Sequence, residues 1–366
     1  MNAVEIDSYP ESLVRNSQPH GIGRVANLAG LCAWNNLGRN VVFAGHDLRP
    51  RAVFDESAFT DDERSQYDLD VHAILEIPSA DIVITLNHFG MVRAFLGDDL
   101  RRPGPVRRIR PLWTRTFAAD VERAIVVDDR LVGSQPRERN ANGVLVSEPL
   151  DATIPCKEMD VTVQLPMWGK VSALTAVSAA HGTAVALGGD GRVSLASVTP
   201  DGVGRMQWDA DTGFQPAVLL WDGAVIWAAG SERPMTAIDD YDWEALHGGG
   251  FAGLDPTDGK VVVAGRFPDD LAWGTGGVAV VRIPGGVCGI GRTGELHVAR
   301  AGDGASVAVT APIAARSLGI AHAAAVGPNI VYGFNRGGYR LHTAAVAALL
   351  SAAGEDSGRP ASGHDS

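Results

Sequence analysis

Three polar side chains hold matching places in a phrase that recurs along this chain: His72, Arg123 and His322. Two neutral imidazoles close together can ligate a transition metal. With a guanidinium beside them, offering a planar fork of donors, the same trio can grip a carboxylate or a phosphate. Asp68, Asp70 and Glu122 lie close in sequence and could hold the imidazole tautomers. A plainer reading has the three side chains lining a hydrated channel and bonding to water and strand ends. At the equivalent place other copies of the phrase carry Gly30, Ala176, Pro216 and Gly277, which are small or Pro and leave space. The expected ligand-binding set is therefore His72, Arg123 and His322, for a small polar or anionic ligand. No catalytic residue, metal or cofactor is assigned.

Other motifs carry less. Gly289–Gly294, GIGRTG, fits the spacing of a dinucleotide fingerprint, but that motif needs a following helix whose N-terminus holds the pyrophosphate. Here ELHVAR follows and alternates like a strand, so a β-turn is expected. Asp209–Gly213, DADTG, has alternate carboxylates yet lacks the distal glutamate of a calcium loop, which leaves a surface turn. The sequence contains no P-loop, no H-E-x-x-H, no G-x-S-x-G and no zinc-type Cys/His spacing.

The elements that must position the trio are strands. In Lys170–Val198, a small apolar run (Ala173–Ala179) turns at His181-Gly182 into Thr183–Leu187. A Gly-Gly-Asp-Gly turn then leads to the alternating Arg192–Val198. Alternation bounded by Gly and Asp turns predicts antiparallel hairpins. Gly23–Trp34 aligns without gaps on Gly169–Ala180, and five further copies follow from Val71, Glu122, Pro216, Gly276 and Leu318 onward. Gly294 and Gly338 occupy equivalent turns 44 residues apart, inside the window of roughly 40–50 residues for propeller blades. Acidic or aromatic insertions stand at Asp55–Asp70 and Ser231–His247, and Gly97–Arg110 reads as a basic loop.

These copies resemble the superfamily of seven-bladed β-propellers that includes the WD40, YVTN and quinoprotein-like groups. The resemblance is architectural: the repeated Trp-Asp ending is absent, and the quinoprotein-like turn LDPTDGKVV (Leu254–Val262) occurs once. It implies an all-β chain, a seven-bladed β-propeller of four-stranded antiparallel blades over residues 21–350. Residues 1–20 would supply the missing outer strand of the last blade, and 351–366 would form a disordered polar tail. A short helix is expected over Ala344–Ala353.

Composition agrees. The 366 residues are 45% hydrophobic, with Gly 44 and Pro 20 suiting many short strands and tight turns. A net charge of −12 disfavours a nucleic-acid backbone as partner. Cys32, Cys156 and Cys288 form no paired motif and read as buried thiols of a reducing compartment. The first residues carry acids and no apolar run, and no stretch approaches ~18 uncharged apolar residues, so no signal peptide or membrane span is expected. A cytoplasmic location follows.

Two functional classes fit. One is a binding scaffold that takes a ligand or protein partner through an axial funnel and its loop faces. The other is a small-molecule hydrolase or lyase, lactonase-like, using the His/Arg cluster in the funnel. The absence of a catalytic motif and the long charged insertions favour binding.

Overall fold

Each copy of the phrase folds as an antiparallel meander. In the first, Ile22–Leu28 and Leu31–Asn36 pair across a two-residue turn at Ala29 and Gly30. Gly30 takes a left-handed φ of +72°, which glycine adopts without steric cost. Gly30 therefore sits in a turn, not on the innermost strand as the sequence alignment had it. The gapless match of Gly23–Trp34 to Gly169–Ala180 ran one strand, a turn and part of a second strand against a single strand.

The computed structural model describes residues 4–7, 22–36, 40–55, 71–87, 91–116, 123–134, 144–149, 163–164, 171–179, 182–189, 191–199, 202–231, 249–267, 271, 273–274, 277–291, 294–300, 306–309, 321–334 and 340–356. The first sheet orders Ile22–Leu28, Leu31–Asn36, Asn40–Ala44 and Pro50–Asp55. The second orders Val71–Ile77, Ile82–Asn87, Met91–Leu96 and Trp113–Thr116. The third runs Arg123–Val127, Arg130–Ser134, Val144–Pro149 and Val163–Gln164. The fourth runs Ala173–Ala179, Gly182–Gly189, Arg192–Thr199 and Gly202–Asp211. The fifth has Gln215–Trp221, Ile226–Ser231, Gly249–Leu254 and Val261–Phe267. The sixth has Val280–Ile283, Gly286–Ile290, Leu296–Arg300 and Ser306–Val309. In the last, Ala321–Val326, Asn329–Phe334 and Arg340–Ala345 are completed by Val4–Asp7, with Val4 opposite Thr343 and Asp7 opposite Arg340.

The leading strands form a ring. Ile22–Leu28 neighbours Val71–Ile77, and the succession continues through each leading strand until Ala321–Val326 meets Ile22–Leu28 again. Radial stacking of this kind buries both faces of every sheet and leaves only short edges. Asn40–Ala44 and Ile82–Asn87 are accordingly buried at every position. The outermost Val261–Phe267, by contrast, buries only Val263 and Phe267.

The apolar core is divided among the contacts between neighbouring sheets. Phe43 and Phe54 of the first sheet meet Phe95 of the second, with ring centroids 5.5 and 5.1 Å apart. Trp34 and Cys32 pack with Val331 and Leu341 of the last sheet, and Cys288 packs with Tyr332 across the sixth and last. Burial pushes the thiols of Cys32 and Cys288 up to about 12. Both are free and buried.

The expectation of seven four-stranded antiparallel blades is corrected: among the described residues six sheets have four strands, and the first has five. Its extra strand, Arg107–Arg108, lies parallel to Pro50–Asp55 with Arg107 opposite Ala52. The amide of Ile109 donates to the Val53 carbonyl at 3.0 Å. The supposed basic loop thus contains the helix Gly97–Arg101 and a strand. An outer edge offers unpaired N–H and C=O groups, and this segment satisfies them.

Two further expectations change. Gly277 belongs to a separate two-stranded pair, Trp273–Gly274 with Gly277–Val278, ahead of the sixth sheet's leading strand. The helix at the C-terminal end is Val346–Asp356, so it extends past Ser351 into the stretch read as a tail. Leu349 and Ala353 anchor it by burying against the sixth and last sheets. Residues 357–366 lie outside the described residues, as do Asp68, Asp70, Glu122 and most of the insertions. No described helix is long and apolar enough to cross a membrane.

Candidate functional site

The leading strands of five successive sheets, the first to the fifth, line one cavity of about 200 Å³. A space shared by so many leading strands lies on the ring axis. Strand register decides which side chains line it. Counting back four residues from the last pair of each leading hairpin (Leu28–Leu31, Ile77–Ile82, Val127–Arg130, Trp221–Ile226) arrives at Arg24, Ala73, Arg123 and Ala217. All four line the cavity, together with Ala173 of the fourth sheet. Ile74, Leu174 and Leu219 add aliphatic wall. Small side chains leave the room, and two guanidinium groups face into it.

Arg123 is held from outside the cavity. Its Nε donates to the Ser172 carbonyl at 3.0 Å. The Ser172 hydroxyl in turn shares its one proton between the Gly188 carbonyl, at 3.1 Å, and the Pro216 carbonyl, and it accepts from Gln215 Nε2 at 3.3 Å. This chain of bonds ties the third, fourth and fifth sheets together and orients the guanidinium. Arg24 is placed differently: its Nε is closed off from solvent and has no hydrogen-bond partner among the described residues. Burial, and then the charge of Arg123, push its guanidinium down to about 9, so it remains protonated at neutral pH.

Of the three residues singled out from sequence, the structure brings Arg123 to the cavity. His322 shares the register of Arg24 and Arg123, four residues before Val326, and is buried, but it is not among the lining residues. His72 falls at a shift of register between Val71 and Ala73, and its side chain lies outside the described residues. Among the described residues no group of three or more His, Cys, Asp or Glu could hold a metal ion. The gapless match of Gly23–Trp34 to Gly169–Ala180 hides Arg24, because it sets the end of the strand Ile22–Leu28 and its turn against the single strand Ala173–Ala179. Counting from the Ala29-Gly30 turn instead puts Arg24 level with Arg123.

Two motifs resolve as structural. Gly291 and Gly294 form a turn, the Gly294 amide donating to the Gly291 carbonyl at 3.0 Å, and a strand follows. Within DADTG, Asp209 accepts from Arg192 Nε at 2.7 Å and from the Ser194 hydroxyl at 2.8 Å, and Asp211 accepts the Gly213 amide at 2.8 Å.

The ring has counterparts among solved structures. The β-propeller domain of Myceliophteria thermophila Cps50 (Swd1) superposes with a TM-score of 0.59 at 14% identity, covering 90% of this chain and 96% of that domain. The fold is that of a β-propeller. The Neurospora crassa Pan2 WD40 domain matches with a TM-score of 0.58 at 12% identity, over 93% of each chain. No family model matches the propeller's sequence, and no curated protein matches it. The likeness is one of architecture; what the propeller binds must be read from its own side chains.

Proposed function

We propose that this propeller is a binding scaffold that takes an anionic group in its axial cavity, between Arg24 and Arg123. The observation that carries this reading is the Arg24 Nε, a donor shut away from water, unpartnered among the described residues and pressed by a second positive charge. A buried polar group without a partner is costly, and a buried unpaired charge more so. A carboxylate or phosphate placed between the two forks would supply both the missing acceptor and the missing charge. His72 and His322, at the leading ends of neighbouring strands, extend the candidate set for the same ligand.

Binding is favoured over a lactonase-like hydrolase or lyase. The described lining consists of two guanidinium groups and otherwise aliphatic side chains. It supplies fixed positive charge, which suits holding an anion.

The test is thermal denaturation with inorganic phosphate or citrate, against sodium chloride at equal ionic strength. A ligand that binds only the folded state raises its stability in a saturable way, by about 2.7 kcal/mol at a hundredfold excess over Kd. The rise should appear with phosphate or citrate and vanish in both Arg24→Met and Arg123→Met. Equal curves in chloride and in the oxyanions would refute the site.

A further inference from the structure

The segment that adds the fifth strand to the first sheet also builds a groove on the rim. It has a volume of about 230 Å³ and lies between the strand Met91–Leu96, the helix Gly97–Arg101 and the strand Arg107–Arg108. Phe95 and Leu100 are buried in its floor, at 2% and 0% exposure. Its lips are Leu96 and Leu112, exposed to 42% and 53%. They are two of only four large hydrophobic side chains that the described surface exposes, the others being Val261 and Val262 on a different sheet.

Charge marks the same place. Residues 101–112 contain five arginines (Arg101, Arg102, Arg107, Arg108, Arg110) and no acid; Arg101 is paired with Glu76 and Asp81 and Arg102 with Asp99, so the charge that bears on the groove comes from its own lining. Arg107 and Arg110 line the groove. Asp99 lines it too, but its carboxylate already accepts from Arg102 at 2.7 Å, and Arg107 Nη2 donates to its backbone carbonyl. The Arg107 Nε is buried without a hydrogen-bond partner among the described residues.

We infer that this groove docks a short acidic peptide segment of a partner protein, one apolar side chain seated between Leu96 and Leu112 and flanking carboxylates facing Arg107 and Arg110. The volume suits a single large side chain. Apolar lips beside two guanidinium groups select against a basic peptide, whose charges would meet like charges, and favour an acidic one through charge complementarity. Anchoring by one apolar side chain inside a polar rim is how compact docking sites concentrate affinity. The groove lies away from the axial cavity and shares no lining residue with it, so the two readings stand or fall separately.

The experiment is fluorescence anisotropy with labelled synthetic peptide pools. The first pool carries one Leu or Phe among Asp and Glu. The second has Asp and Glu replaced by Asn and Gln, and the third has the apolar residue replaced by Ala. The full-length protein should bind the first pool at least about tenfold more tightly than either control, with affinity falling as salt rises. Leu112→Ser and Arg110→Glu should each remove that preference, Val262→Ser should keep it, and Arg24→Met should keep it as well. Equal binding of the three pools overturns the inference, as does a preference that survives both groove variants. A concentration-dependent dimer that Leu112→Ser abolishes would also overturn it, by assigning the groove to a second copy of the chain.

Discussion

Arg101 and Glu76, both from the second sheet's side of its contact with the first, close on one residue of that first sheet. Their side chains meet at 3.3 Å between Nη2 and Oε1. Arg101 Nε donates to the Ala29 carbonyl at 2.8 Å, and Glu76 Oε2 accepts the Ala29 amide at 2.7 Å. The guanidinium also pairs with Asp81, and Arg51 donates to the Arg101 carbonyl at 2.9 Å. The turn that ends the first leading hairpin is thus clamped on both its N–H and its C=O by a neighbouring sheet.

Isolated surface ion pairs contribute about 0–1 kcal/mol, whereas a networked arginine satisfying backbone groups contributes more. Arg101→Ala should therefore lower stability by about 1–3 kcal/mol. Arg102→Ala, which removes one exposed pair with Asp99, should stay within about 1 kcal/mol of the parent. Urea denaturation of the two variants side by side checks the contrast; equal effects would show that the clamp does not carry load between sheets.

Gly259 lies under the indole of Trp208. A Cβ at that glycine would come within 2.6 Å of the ring, and its backbone has a φ of +74°. Trp208 is itself fixed by donating from Nε1 to the Pro256 carbonyl at 2.9 Å. Gly259→Ala should cost about 1–3 kcal/mol, from overpacking together with the left-handed backbone. Gly213→Ala, at a φ of +72° with nothing within 4 Å of the added carbon, should cost less. Thermal melts of the pair separate the packing contribution from the backbone contribution.

Asp222 anchors a tight turn. It accepts the amides of Val225 and Ala224 at 2.7 and 2.8 Å and the Trp227 Nε1 at 2.8 Å. Burial works to raise its carboxyl, but these bonds and the nearby Arg282 outweigh it and hold the group below its ordinary value. A carboxyl depressed by folding contributes stability above its unfolded value, about 3.9, and loses it as pH falls through the lower folded value. Asp222→Asn should therefore be destabilised at pH 7, by about 1–3 kcal/mol, since its amide would turn a donor toward the Trp227 donor or give up an acceptor. The gap between parent and variant should narrow as pH falls below about 4. Melting temperatures from pH 7 to pH 2.5 give the test.

Arg24 should be a stability liability when no anion is present. Arg24→Met, which keeps the aliphatic stem and removes the charge, should raise stability in a low-salt chloride buffer by about 1–3 kcal/mol. Arg123→Met should not, because it breaks the bond to the Ser172 carbonyl. Opposite signs in calorimetry would identify Arg24 as the residue kept for a ligand, and matching losses would make both purely structural.

Much of the fold was legible along the chain. The small apolar run Ala173–Ala179, the run Thr183–Leu187 and the alternating Arg192–Val198 all fall on strands. Alternation and turn glycines are properties of a strand and its next neighbour, so they survive without tertiary context. The site was only half legible. Arg123 could be singled out, whereas Arg24 and the five-stranded first sheet could not.

The sequence by itself determined that this chain would be strands joined by tight turns, stacked as repeats with buried thiols and a mostly apolar interior. Only the tertiary structure decided which side chains share a space. A one-residue shift, like those beside Gly23 and His72, changes the face a side chain meets, and no local pattern records it. Closure of the ring set Arg24 and Arg123, from the first and third sheets, around one cavity. A distant segment then covered an open edge with Arg107–Arg108, since the pairing of two strands is a property of both and is written in neither alone.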